Sequence, residues 1–384
     1  MPEIYLDNSA TTRPQPQVVK LAAEIMQHNF GNPSSMHDKG LAAEKAIAHA
    51  RRQVAKAFSA TEKEIIFTAS GTEANNLAIL GAARRNRNRG NHLITSKIEH
   101  PSVLHCFQRL EEEGFKVSYL DADRQGMVSS EELGDLLDSD TILISIMHVN
   151  NEIGSLQPLN EIGPIIKDKK PDALLHVDAV QSLCKLPITA RRWQADLISG
   201  SAHKLHGPRG AGCLWVKEGV LLEPVIYGGG QEKGMRSGTE NTAAIAGFGL
   251  AVELARSRLT ENRTYLMELK LAFYRELQRL MPECEVNGPT PQSGASQILN
   301  IAFPDVKAEV LLHSLEAEGV YVSAGSACHS RHSEPSHVLS AIGLKAASLE
   351  GSLRFSFSIQ NSMEEIKKAA VITARLAGEL RGYN

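Results

Sequence analysis

The sequence predicts an α/β protein: a large unit built on a mostly parallel central sheet flanked by helices, and a smaller α+β unit. Between residues 64 and 215, short apolar runs alternate with helical segments, the order that lays helices over the faces of a parallel sheet. The run Thr141-Ile142-Leu143-Ile144-Ser145-Ile146-Met147 is almost continuously apolar, as a strand covered on both faces must be. Polar residues recur just past such runs, at Thr72, His100, Asn151, Asp178, Gln181 and Lys204, the strand ends where open α/β sheets bind ligands. A length of 384 residues suits two units. We divide the chain into 14–260 for the larger and 1–13 with 261–384 for the smaller.

In chain order, Ile4-Tyr5-Leu6 reads as a short strand, and Asp7-Asn8-Ser9-Ala10-Thr11-Thr12 as small polar residues suited to a loop near a ligand. Pro14 to His28 reads as a helix with Val18, Leu21, Ala22, Ile25 and Met26 on one stripe, stopped by Asn29-Phe30-Gly31-Asn32-Pro33. A second helix is expected from Leu41 to Phe58. Glu64 to Thr68 is a strand, Ala69-Ser70-Gly71-Thr72-Glu73 a turn, and a helix starts at Ala74. Amide donors at that helix start, with the Thr72 hydroxyl, suit a phosphate; an ordinary N-cap without a ligand fits the turn equally.

His92 to Ser96 is a strand leading to His100, an imidazole able to stack on a flat ring, with Val103 to Glu113 helical after it. Lys116 to Leu120 is a further strand. The run from Ala173 ends in Asp178, whose carboxylate needs a buried partner or caps the next helix. Lys204 follows the apolar Ala195-Asp196-Leu197-Ile198, and Gly207, Pro208, Gly210 and Gly212 forbid a helix beyond it. A lysine in a partly dry pocket loses its proton and forms a Schiff base with a carbonyl, and Ser201 and His203 are placed to hold a phosphate beside it. Read alone, the stretch also fits a solvated loop lysine.

Tyr227 to Thr239 is too glycine-rich for core and too long for an idle turn, which predicts a functional loop. A long helix from Thr242 to Leu280 then leads to strands near Asn300–Phe303 and Val320–Ser323, with helices near Glu309–Glu318, His337–Ile342 and Met363–Leu380. The polar stretch from Ser323 to Ser336 is built around Cys328, whose thiolate His329, Arg331 and His332 favour. Cys106, Cys184 and Cys213 lie in apolar contexts and Cys284 near a loop. A zinc reading of Cys328, His329, His332 and His337 matches no standard finger spacing, and no metal is expected.

Composition narrows the function classes. Net charge −3 and 22% charged residues carry no nucleic-acid signature. The N-terminus lacks a basic and apolar leader, and no apolar run is long enough to span a bilayer, so a cytoplasmic protein without membrane association is expected. Five cysteines at irregular spacing point to thiols rather than a disulfide framework.

Assembled, these stretches resemble the cysteine desulfurases of the NifS/IscS type, in the class V aminotransferase group of fold-type I pyridoxal phosphate enzymes. The resemblance rests on Leu6-Asp7-Asn8-Ser9-Ala10-Thr11-Thr12, Gly31-Asn32-Pro33, Glu99-His100, His148-Val149-Asn150-Asn151-Glu152, His176-Val177-Asp178-Ala179-Val180-Gln181, Ser201-Ala202-His203-Lys204, Met235-Arg236-Ser237-Gly238-Thr239 and Gly325-Ser326-Ala327-Cys328. It implies pyridoxal 5′-phosphate held by Lys204 as a Schiff base, with Asp178 on the pyridinium nitrogen, His100 stacked on the ring and Gln181 at the phenolate oxygen. Gly71, Thr72, Ser201 and His203 would hold the phosphate, joined by Thr239 of a neighbouring subunit, which implies a homodimer. Asn151 and Arg354, aided by Asn32, would bind the substrate carboxylate.

The implied reaction removes sulfur from L-cysteine, with Cys328 as the sulfur-accepting nucleophile, leaving L-alanine and a persulfide. That sulfur would pass to an acceptor such as an iron-sulfur scaffold or a tRNA-thiolating enzyme. The Ala-Cys-His-Ser-x-His wording around Cys328 also resembles the selenocysteine lyases, which makes L-selenocysteine the alternative substrate.

Overall fold

The computed structural model describes residues 3–324 and 335–381. Its central sheet has seven strands: β2 (Ile65–Thr68), β3 (His92–Ser96), β4 (Lys116–Leu120), β5 (Thr141–Met147), β6 (Leu174–Asp178), β7 (Leu197–Ser201) and β8 (Gly212–Val216), in the order β2-β8-β7-β6-β5-β3-β4. Every neighbouring pair is parallel except the two made by β8. Only residues 202–211 separate β7 from β8, too few for the crossover a parallel partner needs, so the chain turns straight back. The glycines that mark this stretch as loop conceal β8 in the sequence.

Both faces of the sheet are covered. Leu93, Leu143 and Leu197 enter one apolar core, beneath α3 (Gly71–Arg85) and α4 (Pro101–Glu112). Their neighbours Ile94, Ile144 and Ile198 point the other way, against a layer containing α2 (Asp38–Ala57), α6 (Leu159–Lys169) and α7 (Thr242–Ser257). This alternation is why the strands are apolar at nearly every position. The α1 helix (Pro16–His28) packs beside α7, and α5 (Ser130–Leu136) beside α6.

A second core, centred on Phe273, Phe303, Phe355 and Phe357, lies under an antiparallel sheet of order β12-β13-β10-β9. Its strands are β9 (Glu285–Asn287), β10 (Ile298–Ala302), β12 (Ser323–Ala324) and β13 (Ser352–Ser356), backed by α8 (Leu259–Leu280), α9 (Ala308–Ala317) and α12 (Met363–Arg381). The N-terminal strand β1 (Ile4–Tyr5) pairs with β11 (Val320–Tyr321), and Asp7 bridges to Ser356. Helices α10 (His337–Ala341) and α11 (Ala346–Glu350) complete the order.

Two local expectations are corrected. The helix from Thr242 to Leu280 is two helices, α7 and α8, because α7 serves the first core and α8 the second; the chain bends at Arg258, with φ −124° and ψ 25°. The run Val320–Ser323 splits into β11 and β12, which belong to different sheets. Strand β13, which carries Arg354, and β9 carry no distinctive apolar run in the sequence. No helix among the described residues is long and apolar enough to cross a membrane.

Candidate active site

At the carboxyl ends of the parallel strands lies a cavity of about 630 Å³. The segments after β2, β3, β5, β6 and β7 supply Thr72, His100, Asn151, Asp178 with Gln181, and Lys204 to its wall. Asp7, Ser9 and Ala10 close it from the N-terminal segment, and Ser323 and Arg354 from the antiparallel sheet. Of the residues singled out from sequence, it gathers Gly71, Thr72, His100, Asn151, Asp178, Gln181, Ser201, His203, Lys204 and Arg354.

Lys204 sits on the 3₁₀ turn Ala202–Lys204 that follows β7. Its Nζ donates to the carbonyls of Ser9 at 2.5 Å and Ala10 at 2.7 Å, so the amine is aimed at the mouth of the cavity by backbone from the far end of the sequence. Opposite it, Asp178 accepts from the Val180 amide at 2.9 Å and from Asn75 Nδ2 at 2.8 Å. Asn75 also donates to Ser102 Oγ, which is 2.8 Å from His100 Nδ1. His100 Nδ1 accepts from the Ser102 amide, so its proton resides on Nε2. Burial first, then the charge of Lys204, holds the His100 imidazole below its ordinary range against the opposing pull of Asp178.

The start of α3 supplies the anion-binding geometry. Ser70 caps the helix by accepting from the Glu73 amide, leaving the amides of Gly71 and Thr72 at the cavity wall with the helix dipole behind them. A Cβ on Gly71 would lie 2.6 Å from Val180 Cγ2, so this approach admits glycine alone. Ser201 Oγ is buried at the end of β7 without a protein partner. His203 Nδ1 lies 3.2 Å from Thr11 Oγ1, and burial, with Lys204 nearby, pushes the imidazole down to about 4.

Arg354, 8% exposed, donates to Asp7 Oδ1 at 2.8 Å and to the Asn151 carbonyl at 3.0 Å. Its Nε is buried without a protein partner, as are Asn151 Oδ1 and Gln181 Oε1; Gln181 Nε2 donates to the Ser9 carbonyl. Buried polar atoms are nearly always satisfied. Such atoms at Ser201, Gln181, Asn151 and Arg354, all on one cavity, therefore fit a bound molecule carrying an anionic end and several hydrogen-bonding groups. A pyridoxal phosphate with an amino-acid substrate has those groups.

Two candidates lie apart. Asn32 is exposed, with Oδ1 accepting from the Ser34 amide, and Thr239 is exposed on the loop after Tyr227; neither lines this cavity. Cys328 falls outside the described residues, as do His329 and His332 of the zinc reading, while His337 Nε2 lies 2.8 Å from the Glu99 carbonyl. The other four cysteines are buried thiols. Burial pushes Cys106 and Cys184 up to about 12, Cys284 to about 11, and Cys213 higher still. Sequence reading gave Asp7 and Ser9 only a place in a loop near a ligand and assigned no part to Asn75 or Ser102. The one signal for Asn75 is a polar residue just before the apolar run that starts at Leu77; its burial shows only in the fold.

The family model for aminotransferase class-V matches residues 4–369. The chain is 42% identical over 380 residues to the cysteine desulfurase IscS of Clostridium botulinum, strain Hall, covering 99% of this chain and 95% of that protein. It is 43% identical over 381 residues to the cysteine desulfurase IscS of Methanosarcina thermophila, covering 99% and 93%. A solved structure described as a NifS-like protein superposes with a TM-score of 0.92 at 35% identity, over 98% of this chain and all of that one.

Proposed function

The chain belongs to the class-V aminotransferase family, and on that premise we propose that it is a pyridoxal 5′-phosphate-dependent cysteine desulfurase, forming L-alanine and an enzyme persulfide from L-cysteine. The observation that carries this reading is the convergence of an amine, a carboxylate, an imidazole and a bare helix start on one cavity with unsatisfied buried polar atoms. When bound, the cofactor supplies an electron sink for the carbanion at the substrate α-carbon.

Lys204, held by the Ser9 and Ala10 carbonyls, would hold the cofactor carbonyl covalently and would take the substrate α-proton. Asp178, fixed by Asn75 and the Val180 amide, would accept from the ring nitrogen. His100 would stack on the ring, Gln181 would serve its phenolate oxygen, and Gly71, Thr72, Ser201 and His203 would bind the phosphate, all of them lining the one cavity. Arg354 Nε and Asn151 take the substrate carboxylate. Asn32 assists them. Cys328 is the nucleophile: its thiolate bonds to the substrate sulfur as the Cβ–S bond breaks, and the electron pair stays on carbon, where a proton completes the methyl of alanine. The buried, unactivated thiols of the other four cysteines support this assignment.

The cavity then lies between the larger unit, 14–260, and the smaller, 1–13 with 261–384. Thr239, exposed and outside its own cavity, suits a homodimer in which it reaches the partner's phosphate site; sedimentation of a fully active monomer would contradict this. The persulfide passes to an acceptor protein, an iron-sulfur scaffold or a tRNA-thiolating enzyme, in the cytoplasm. Borohydride reduction of the purified protein followed by peptide mapping tests the core of the proposal. The expected result is a cofactor adduct on Lys204, and an adduct on another lysine, or none, refutes it.

A further inference from the structure

We propose that Arg236 and Glu73 form a positioning pair for the cofactor's phosphate, in which Arg236 cancels the charge of a carboxylate that otherwise repels the phosphate. This rests on the cofactor reading given above. Glu73 is the third residue of α3, in the first turn of the helix whose opening residues, Ser70, Gly71 and Thr72, line the cavity. Its Oε2 accepts from the Ala69 amide at 3.1 Å, bringing the carboxylate back over the turn that precedes the helix. An acidic residue here favours the helix through the dipole, but it draws on the same positive end that a phosphate uses. Without Arg236, the Glu73 carboxylate would set like charge on the turn whose Gly71 and Thr72 amides face a phosphate.

Arg236 answers this charge. Its Nε lies 2.8 Å from Glu73 Oε1, and both side chains are about four-fifths buried, at 21% and 19% exposure. The loop that carries it is fastened across the β2–α3 turn at a second point. Glu232, 2% exposed, accepts from Arg51 at 2.6 and 2.7 Å and from the Phe67 amide of β2 at 2.9 Å. Between the two fastenings, Glu232 and Lys233 hold left-handed backbone, at φ 45° and 60°. Such conformations persist only where the surroundings over-determine them. Ile226 bridges Arg236, and the Ser237 amide donates to the Ile226 carbonyl, which closes the loop on itself. The sequence motif Met235-Arg236-Ser237-Gly238-Thr239 therefore does two things: it offers Thr239 outward and braces the phosphate turn of its own chain with Arg236.

The test is titration of the apoenzyme, followed by absorbance, with pyridoxal 5′-phosphate and with pyridoxal, which lacks the phosphate. Arg236→Ala should raise the Kd for pyridoxal 5′-phosphate about tenfold and leave that for pyridoxal unchanged. Arg236→Lys, which keeps the charge, should stay near the wild type. Glu73→Gln should bind the phosphorylated form at least as tightly as the wild type, and Arg236→Ala/Glu73→Gln should return to within about twofold of it. Equal weakening of both ligands by Arg236→Ala, or a double variant no better than Arg236→Ala, overturns the proposal. Wild-type apoenzyme that binds neither ligand would instead sink the cofactor assignment, and the pair's role with it.

Discussion

Removing Arg51 isolates a buried carboxylate, and the structure sets the size of the effect. Its Nη1 donates to the Ile65 carbonyl at 2.8 Å and to Glu232 Oε2, its Nη2 donates to Glu232 Oε1, and the guanidinium carbon sits 4.7 Å from the Phe67 ring centre. Arg51→Ala leaves Glu232, 2% exposed, with the Phe67 amide as its remaining hydrogen-bond donor. An uncompensated buried charge of this kind costs about 3–5 kcal/mol. The unfolding entropy of a chain of 384 residues is roughly 0.8 kcal/mol/K, so the melting temperature should fall by about 4–6 °C. Calorimetry at fixed protein and cofactor concentration measures this. Arg51→Ala/Glu232→Gln should recover at least half the loss, because the glutamine removes the stranded charge. A shift under about 1 °C for Arg51→Ala, or a double variant no more stable than the single, would refute the reasoning.

Cys328→Ala should abolish alanine release from cysteine while the cofactor absorbance and the Lys204 adduct survive; undiminished turnover, with persulfide mapped to another cysteine, would overturn the assignment of the nucleophile. Burial holds four imidazoles far below their ordinary value, His148, His203 and His206 at about 4 and His176 at about 3. The unfolded chain binds protons that these rings refuse, so their stability contribution is full above pH 6.5 and lost as pH falls toward 4. Acid unfolding followed by fluorescence should steepen in that window, and a flat profile from pH 6.5 to 4 would count against it. Glu99 behaves oppositely: burial raises its carboxyl from 4.5 to about 8, so the folded state keeps a proton the unfolded state loses, and stability declines as pH rises across that span. Glu99→Gln should therefore gain stability relative to the wild type between pH 5 and pH 8, and a constant difference in chemical denaturation would exclude a protonated Glu99.

Much of this protein is written locally in its sequence. The run Thr141–Met147 names itself as a covered strand because both its faces must be apolar, and it is β5 without change of boundary. The helix start near Ser70-Gly71-Thr72 is legible because a strand, a glycine and a helical run occur in succession, although α3 begins at Gly71 rather than Ala74 once Ser70 caps it; Lys204 is legible because Gly207 and Pro208 forbid any element that would draw it onto a solvated helix. Residues such as Asp178 and His100 could be nominated since strand ends of one sheet fall on one edge. All of these follow from interactions within about ten residues, which the sequence displays directly.

The rest depends on pairings between distant parts of the chain. Asp7 meets Arg354 across 347 positions, and the Ser9 carbonyl receives both Lys204 and Gln181. Asn75 joins Asp178 to Ser102 and so to His100. The bend at Arg258 was decided by which core each segment had to cover, α7 the first and α8 the second. No local pattern encodes these contacts, because each is stabilised by burial and hydrogen bonding that exist only after the N-terminal segment, the parallel sheet and the antiparallel sheet have closed on one another. The sequence by itself determined which side chains stand at the strand ends; tertiary structure decided what holds each of them in place, and which buried polar atoms are left for a ligand to satisfy.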